Sequence, residues 1–358
     1  MSYSAIHPIF KCNQRLGKDT FFYGIENARL IYSNNKLTEL KSFGSGEITD
    51  RRGVVLENSS KEIILSSFLR NDQLRSSYIK QIKSLSAKTN KIVMPGTSFF
   101  CGDRFTDGNM CHVVLDHLIR AWQCKESMID IDQYIFYEST WPWAKQIIET
   151  VLPSSKIVYI RDLRCIHFEK VYFCANSFGG PGTAFAQTGM LGLSLKHPAC
   201  LANRRFLKQL QRSCIGLMRT KIADSKNRDF PKLIFISRKG KSRRFNNQEA
   251  IEKMMQSYQY DTAFLEEISI QRQLEIFHNA KIIVGFHGAG LTNLIACKEK
   301  TKIIEIFGRT GSSAYAELSQ SLNLNYQHLN LIDLNSQPRI EWEADIKKLK
   351  ACLEQLRA

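Results

Sequence analysis

No stretch of this chain holds the roughly 18 to 20 consecutive apolar residues that a membrane-spanning helix requires. Its opening, Met1-Ser2-Tyr3-Ser4-Ala5, has no basic region followed by an apolar one. Spanning and secretory readings are therefore set aside, and cytoplasmic residence is the expectation. None of the ten cysteines, from Cys12 to Cys352, falls into a Cys-x-x-Cys spacing, and neither cysteines nor histidines cluster. Zinc ribbons and dithiol redox centres are thereby excluded, no metal site is expected, and the thiols read as reduced core residues. Internal repeats, low-complexity tracts, and recognition-helix, zinc-finger or aromatic RNA-binding signatures are also missing, so no nucleic-acid partner is expected.

Acidic residues are comparatively few. Lys plus Arg number 50 against 34 Asp plus Glu, a formal charge of +16. Such a balance favours polyanionic partners: nucleic acid, an acidic membrane face touched peripherally, or phosphate-bearing substrates. The densest basic stretch runs from Arg204 to Arg244. In its first part Phe206, Leu210, Cys214, Leu217 and Met218 recur at helical spacing, which predicts one buried face with Arg205, Lys208, Arg212 and Arg219 largely outside it.

At 358 residues, 43% of them hydrophobic, the chain is long enough for two domains. Residues 1–60 read as β-rich, with Ala28 to Tyr32 and Lys36 to Leu40 flanking a Ser-Asn-Asn turn as a hairpin. Residues 61–223 read as an α/β lobe in which Ile92-Val93-Met94, Tyr134 to Tyr137, Ile157 to Ile160 and Val171-Tyr172-Phe173 suit buried parallel strands. A polar linker spans 224–231. Residues 232–340 alternate cleanly: strand Leu233 to Ser237, helix Gln248 to Tyr258, strand Ala263 to Leu265, helix Ile270 to Asn279, strand Ile282 to Phe286, helix Leu291 to Cys297, strand Ile303 to Phe307 and helix Ala314 to Leu322. A parallel sheet covered on both faces is the natural solution. Residues 341–358 form an amphipathic closing helix expected to pack back across both halves.

Two strand-to-helix loops carry the chemistry. In the first, Arg238 stands at a strand end and Arg243-Arg244 follow, with Lys239 and Lys241 between them. Guanidinium groups pair bidentately with phosphate and never deprotonate, so they neutralise a diphosphate without a metal. Asn246 or Asn247 is a suitable helix N-cap, and Glu249 would close a capping box on Asn246. The second loop is Val284-Gly285-Phe286-His287-Gly288-Ala289-Gly290-Leu291-Thr292-Asn293. Its small residues allow close approach of a ligand to N–H groups at a positive helix end, and His287 sits where open α/β sheets bind ligands.

Glu305 follows Gly285 by 20 residues, the offset of the acidic residue that grips a ribose in dinucleotide-binding enzymes. The glycine order, Gly-x-x-Gly-x-Gly, is the reverse of that fingerprint, and Glu305 lies inside its strand. A dinucleotide-using enzyme of Rossmann type therefore stays open as an alternative. So does a basic nucleic-acid-binding protein, on charge alone.

These residues resemble a known family. Ser237-Arg238 with Arg243-Arg244 and Asn247, then His287 to Asn293 and Ile304-Glu305-Ile306, are similar to glycosyltransferase family 61, here of the type that builds bacterial capsular or extracellular polysaccharide. The family also includes plant xylan arabinosyl- and xylosyltransferases and animal O-linked N-acetylglucosaminyltransferases. Upstream, Gly108-Asn109-Met110-Cys111-His112-Val113-Val114-Leu115-Asp116-His117-Leu118-Ile119-Arg120 is similar to the family's Asn-x-x-His helix. Where the family usually has Asn-Glu after the arginine pair, this chain has Asn247-Gln248.

The resemblance implies a GT-B-like α/β fold, two Rossmann-like lobes facing a cleft, and inverting transfer from a nucleotide-diphosphate sugar to a glycan or glycolipid hydroxyl. It implies no cofactor, with a UDP-sugar the favoured donor. Arg238, Arg243, Arg244, His287, Gly288, Ala289, Gly290, Leu291 and Thr292 would then hold the diphosphate, and Asn293 and Glu305 the nucleoside. An inverting reaction also needs a base for the acceptor hydroxyl. Asp116 is the choice, with His112 four residues before it on the same helix face; Asn109, Arg120, Asp103 and Asp107 are acceptor-side candidates. Asp130-Ile131-Asp132 precedes a strand instead of following one, and so does not read as a metal clamp.

Overall fold

The computed structural model describes residues 10–11, 20–33, 53–57, 63–65, 92–101, 110–111, 113–114, 118–126, 130–138, 142–160, 165–176, 199–219, 230–238, 245–307, 314–331 and 344–357. The fold is α/β with parallel sheets, and the chain divides into two compact units, residues 1–206 and 207–358.

The first unit is built on a mixed sheet. Strands β1 (Phe10–Lys11), β2 (Thr20–Ser33), β3 (Gly53–Glu57) and β4 (Ile63–Leu65) are antiparallel. Strands β5 (Ile92–Phe100), β6 (Gln133–Tyr137), β7 (Ile157–Ile160) and β8 (Cys165–Asn176) are mutually parallel, and β8 joins the two sets by pairing with β2. Of the expected hairpin, Ala28 to Tyr32 lies in β2, while Lys36 to Leu40 lies outside the described residues. Helices α1 (Ile119–Glu126) and α2 (Pro142–Val151) follow β5 and β6 in the chain. Trp122 of α1, fully buried, meets Phe206 at a centroid distance of 5.4 Å.

A bulge interrupts β5 between Met94 and Thr97, where Gly96 takes a φ of 67° and donates its N–H to Glu169 Oε2 at 2.7 Å. Asp132 accepts from the neighbouring Thr97 N–H at 2.7 Å, while Asp130 lies 3.8 Å from Lys156. Asp132 thus fastens β5 to the start of β6, while the exposed Asp130 faces the turn that precedes β7.

Helix α3 (Ala199–Arg219) carries the chain from the first unit into the second. Phe206, Leu210, Cys214 and Met218 are buried as their spacing predicts, and Lys208 and Arg212 are exposed. Leu207 is buried as well, and Leu217 only half-buried, so the stripe is turned slightly from the expected one.

The second unit is a five-stranded, wholly parallel sheet in the order β10–β9–β11–β12–β13. Its strands are β9 (Leu233–Ser237), β10 (Asp261–Phe264), β11 (Ile282–Phe286), β12 (Lys302–Phe307) and β13 (Asn325–Asn330). Apolar runs such as Leu-Ile-Phe-Ile and Ile-Ile-Val, buried on both faces, are what a central parallel strand needs. Helix α4 (Gln248–Ser257) links β9 to β10, α5 (Ile270–Asn279) links β10 to β11, and α6 (Ala314–Ser321) links β12 to β13. Ser269 caps α5 by accepting from Arg272 N–H. Asn247 occupies the N-cap position of α4 without capping it, and the expected capping box is not formed. Its amide instead exchanges two hydrogen bonds with the Ala344 backbone, at 2.8 and 3.0 Å, fixing the approach to the closing helix α7 (Ile346–Arg357).

One expected element takes another form, and one strand is additional to those expected. The helix expected over Leu291 to Cys297 is a 3-10 segment, Ala289–Ala296, wound with i→i−3 bonds such as Leu291 N–H to the Gly288 carbonyl, and residues 291–296 are buried all round. Strand β13, absent from the expected alternation, is an edge strand of the described sheet with only Leu329 buried, and its polar sequence carries no strand signal.

Helix α7 shares one core with the sheet: Ala344, Leu349, Cys352 and Leu353 join Phe235, Ile251, Met255, Val284 and Ile304. Leu349 is fully buried. Leu349→Ala is expected to cost about 2–5 kcal/mol through lost contact and a residual cavity, measured by urea unfolding of the full chain.

Candidate active site

Numbered along the chain, the strands of the second unit run 2-1-3-4-5 across the sheet. The direction of winding therefore reverses between β9 and β11, and open α/β sheets bind ligands outside the carboxyl ends of the strands at that point. Both loops singled out in the sequence begin there. Arg238 directly follows β9, and His287 directly follows β11.

The two are joined. Arg238 Nη2 donates to the His287 carbonyl oxygen. The guanidinium lies so close over Gly288 that a Cβ at that position would come within 1.8 Å of Nη2. Gly290 is constrained in a similar way: a Cβ there would stand 2.7 Å from Leu265 Cδ1. Both glycines thus make room for protein side chains, where the sequence suggested room for a ligand. At the start of the 3-10 segment the Gly288 carbonyl accepts from Leu291 N–H at 2.9 Å.

The backbone of Arg238 is held from behind. Gln248 Nε2 donates to the Arg238 carbonyl at 2.8 Å, to Ser237 Oγ at 2.7 Å and to Glu252 Oε1 at 3.1 Å, and Ser237 Oγ donates to Glu252 at 2.5 Å. Two of the three partners of Nε2 can only accept, which fixes the amide's orientation. A glutamate at position 248 would face Glu252 with a second carboxylate, so the departure noted at Asn247-Gln248 has a local physical reason. Nothing in the sequence signals this network, since none of its members is unusual for its place.

His287 is 7% exposed. Its Nδ1 lies 2.5 Å from Glu305 Oε1, and its backbone N–H donates to the Ile306 carbonyl at 2.8 Å. The ring packs against Phe307 at 5.3 Å and against Tyr315, edge-on, at 5.6 Å. Glu305 is fully buried, and its second oxygen accepts from Tyr326 Oη at 2.6 Å. A ribose contact at Glu305 does not fit this placement: both oxygens are taken and none of the residue reaches solvent. Tyr326 was not foreseen, because it lies on the polar edge strand. Burial, followed by the adjacent Glu305 carboxylate and its hydrogen bond, holds the Tyr326 phenol well above the ordinary tyrosine range.

Leu291, Thr292 and Asn293 are all buried. Asn293 Nδ2 donates to Gln273 Oε1 at 2.8 Å and to the Gly290 carbonyl at 3.1 Å, so it braces the loop from within. Arg243 and Arg244 lie outside the described residues, as do Asp103, Asp107, Asn109, His112 and Asp116. Arg120 is in α1, its side chain undescribed, and Met110, Cys111, Val113, Val114 and Leu118 around the candidate bases are buried. Among the described residues, no group of three or more His, Cys, Asp or Glu is placed to hold a metal. Six described cysteines are buried thiols outside any disulfide, and burial pushes the Cys214 thiol up to about 12, which leaves it unreactive at neutral pH. No helix among the described residues is long and apolar enough to cross a membrane.

The sequence profile described as Glycosyltransferase 61 matches residues 110–304, more than half of the chain. The chain belongs to glycosyltransferase family 61. The match takes in Arg238, the Arg243-Arg244 pair and the whole His287 to Asn293 run, and it begins just before His112. Relatives include the EGF domain-specific O-linked N-acetylglucosamine transferases of Drosophila melanogaster, 26% identical over 29% of this chain, and of Gallus gallus, 31% identical over 17%. The similarity spans 20% and 11%, respectively, of those proteins' own lengths.

The contact at Gly288 generates a test. Gly288→Ala should displace the guanidinium and lower stability by about 1–3 kcal/mol, as overpacking does. Adding Arg238→Ala should recover most of the clash component, giving a clear interaction energy in a double-mutant cycle followed by urea unfolding.

Proposed function

We propose that this member of family 61 is an inverting, metal-independent transferase that moves a sugar from a nucleotide-diphosphate sugar to a hydroxyl of a glycan or glycolipid acceptor during surface or extracellular polysaccharide assembly. The observation that carries the reading is the Arg238–His287 junction at the switch point of the parallel sheet, within the loop typical of the family. In this reading the two units are the lobes of a GT-B architecture, and the second holds the donor. Arg238, Arg243 and Arg244, with the N–H groups opening the 3-10 segment, face the diphosphate and stabilise the charge that grows on it as the anomeric C–O bond breaks. UDP-sugars are the first donors to assay, and the names of the relatives make UDP-N-acetylglucosamine the first among them.

On the acceptor side, the hydroxyl oxygen attacks the anomeric carbon and its proton passes to Asp116, with His112 as the neighbouring candidate. Asn109, Arg120, Asp103 and Asp107 would position the acceptor; residues 102–109 follow directly after the carboxyl end of β5. The +16 charge and the exposed Lys208 and Arg212 of α3 suit a protein working at the inner, acidic face of a membrane.

Two measurements test this. UDP should raise the thermal midpoint equally in magnesium and in excess chelator, adding about 2.7 kcal/mol at 100 times its dissociation constant; loss of binding in chelator would remove the metal-free reading. Asp116→Asn should keep its fold and its nucleotide affinity while nearly abolishing transfer, because the amide preserves shape but takes up no proton. Near-normal turnover in the folded variant would move the base to His112, Asp103 or Asp107.

A further inference from the structure

The contacts of His287 give its two ring nitrogens different duties. A carboxylate only accepts, so the hydrogen in the 2.5 Å contact with Glu305 rides on Nδ1. Nε2 has no hydrogen-bond partner among the described residues, and the side chain keeps 5% of its surface open. The ring cannot readily turn over to exchange the two, since Phe307 covers it at an interplanar angle of 30° and Tyr315 meets it edge-on at 63°.

The carboxylate is the costly member of the group. Glu305 is fully buried, and its hydrogen bonds come from His287 and Tyr326. Around the pair stand Tyr315, the Arg238 guanidinium on the His287 carbonyl, and His328 on the far side of Phe307 at 5.7 Å. Among the described residues no lysine or arginine is ion-paired with Glu305. A buried carboxylate without a countercharge is strongly disfavoured, and a second proton on the imidazole supplies that countercharge within hydrogen-bond distance.

We propose, resting on the nucleotide-sugar reading above, that His287 meets the donor's diphosphate as an imidazolium, with Nδ1–H on Glu305 and Nε2–H donated to a phosphate oxygen. Glu305 and Tyr326 are positioning residues: they act through the ring and touch no substrate. Tyr326 satisfies Oε2 of Glu305 and leaves Oε1 to His287, as the groups that orient a metal-bound histidine from behind do. Nε2–H and the Arg238 guanidinium then supply the charge-assisted donors that a divalent cation supplies elsewhere.

The test uses the full chain labelled with 15N-histidine, titrated with UDP in chelator, with His287→Gln identifying the resonances. Expected in the complex are protons on both ring nitrogens of His287 and a shift of Nε2 on binding. Tyr326→Phe, a conservative change at a half-buried position, should weaken UDP about tenfold, as loss of a hydrogen bond to a charged group does. Glu305→Gln should leave the ring singly protonated in the complex and weaken UDP at least as much. If the wild-type chain binds no nucleoside diphosphate, the functional reading falls and this proposal with it. If it binds UDP while Nε2 stays unprotonated, or Tyr326→Phe binds as tightly as wild type, the proposal alone is overturned.

Discussion

One hydrogen bond orders the second unit's upper edge: Arg238 Nη2 to the His287 carbonyl. It joins the ends of two adjacent parallel strands at the point where the winding reverses, and it requires position 288 to lack a Cβ. Much of the neighbourhood is arranged so that both partners arrive correctly placed. Gln248 holds the Arg238 backbone, Ile306 holds the His287 backbone, and Glu305 with two aromatic rings holds the imidazole. Such preorganisation is what the proposed stabilisation of a departing diphosphate would demand, because donors already in place need no rearrangement when charge develops.

The α/β alternation of the second unit was legible because each of its central strands is a short apolar run bounded by polar turns. Helix α5 and strand β11 fall where the periodicity puts them. Legibility failed where burial is complete or nearly lacking. The run after Gly290 is buried on every side, its polar Thr292 and Asn293 included, and so carries no helical phase, and β13 is too polar to announce a strand. The same divide applies to the site. Arginines and a histidine at strand ends stand out in a sequence. The partners that orient them, Gln248, Glu252 and Tyr326, are ordinary residues whose roles come from tertiary neighbours 10 to 21 positions away, the separations of Gln248 from Arg238 and of Tyr326 from Glu305.

Glycine offers a second lesson. The run His-Gly-Ala-Gly drew attention as a loop that a phosphate could approach. The space over Gly288 belongs to a guanidinium, and that over Gly290 to a leucine. Small residues at a strand-to-helix turn thus testify to close approach without saying by what. Here a cationic side chain does the approaching, which places positive charge beside the loop instead of leaving an empty cradle.

Among the described residues, Tyr326 belongs to the outermost strand of its sheet, paired with β12 alone. Edge strands are the cheapest parts of a sheet to open, and local opening needs only a fraction of the global unfolding free energy. A buried carboxylate in the sheet's interior therefore depends for one of its two hydrogen bonds on the strand most readily peeled away. Fraying at that rim would reach the imidazole through Glu305 while the core of β9, β11 and α7 stayed folded, so the sheet's border acts as a fuse for the chemistry at its centre.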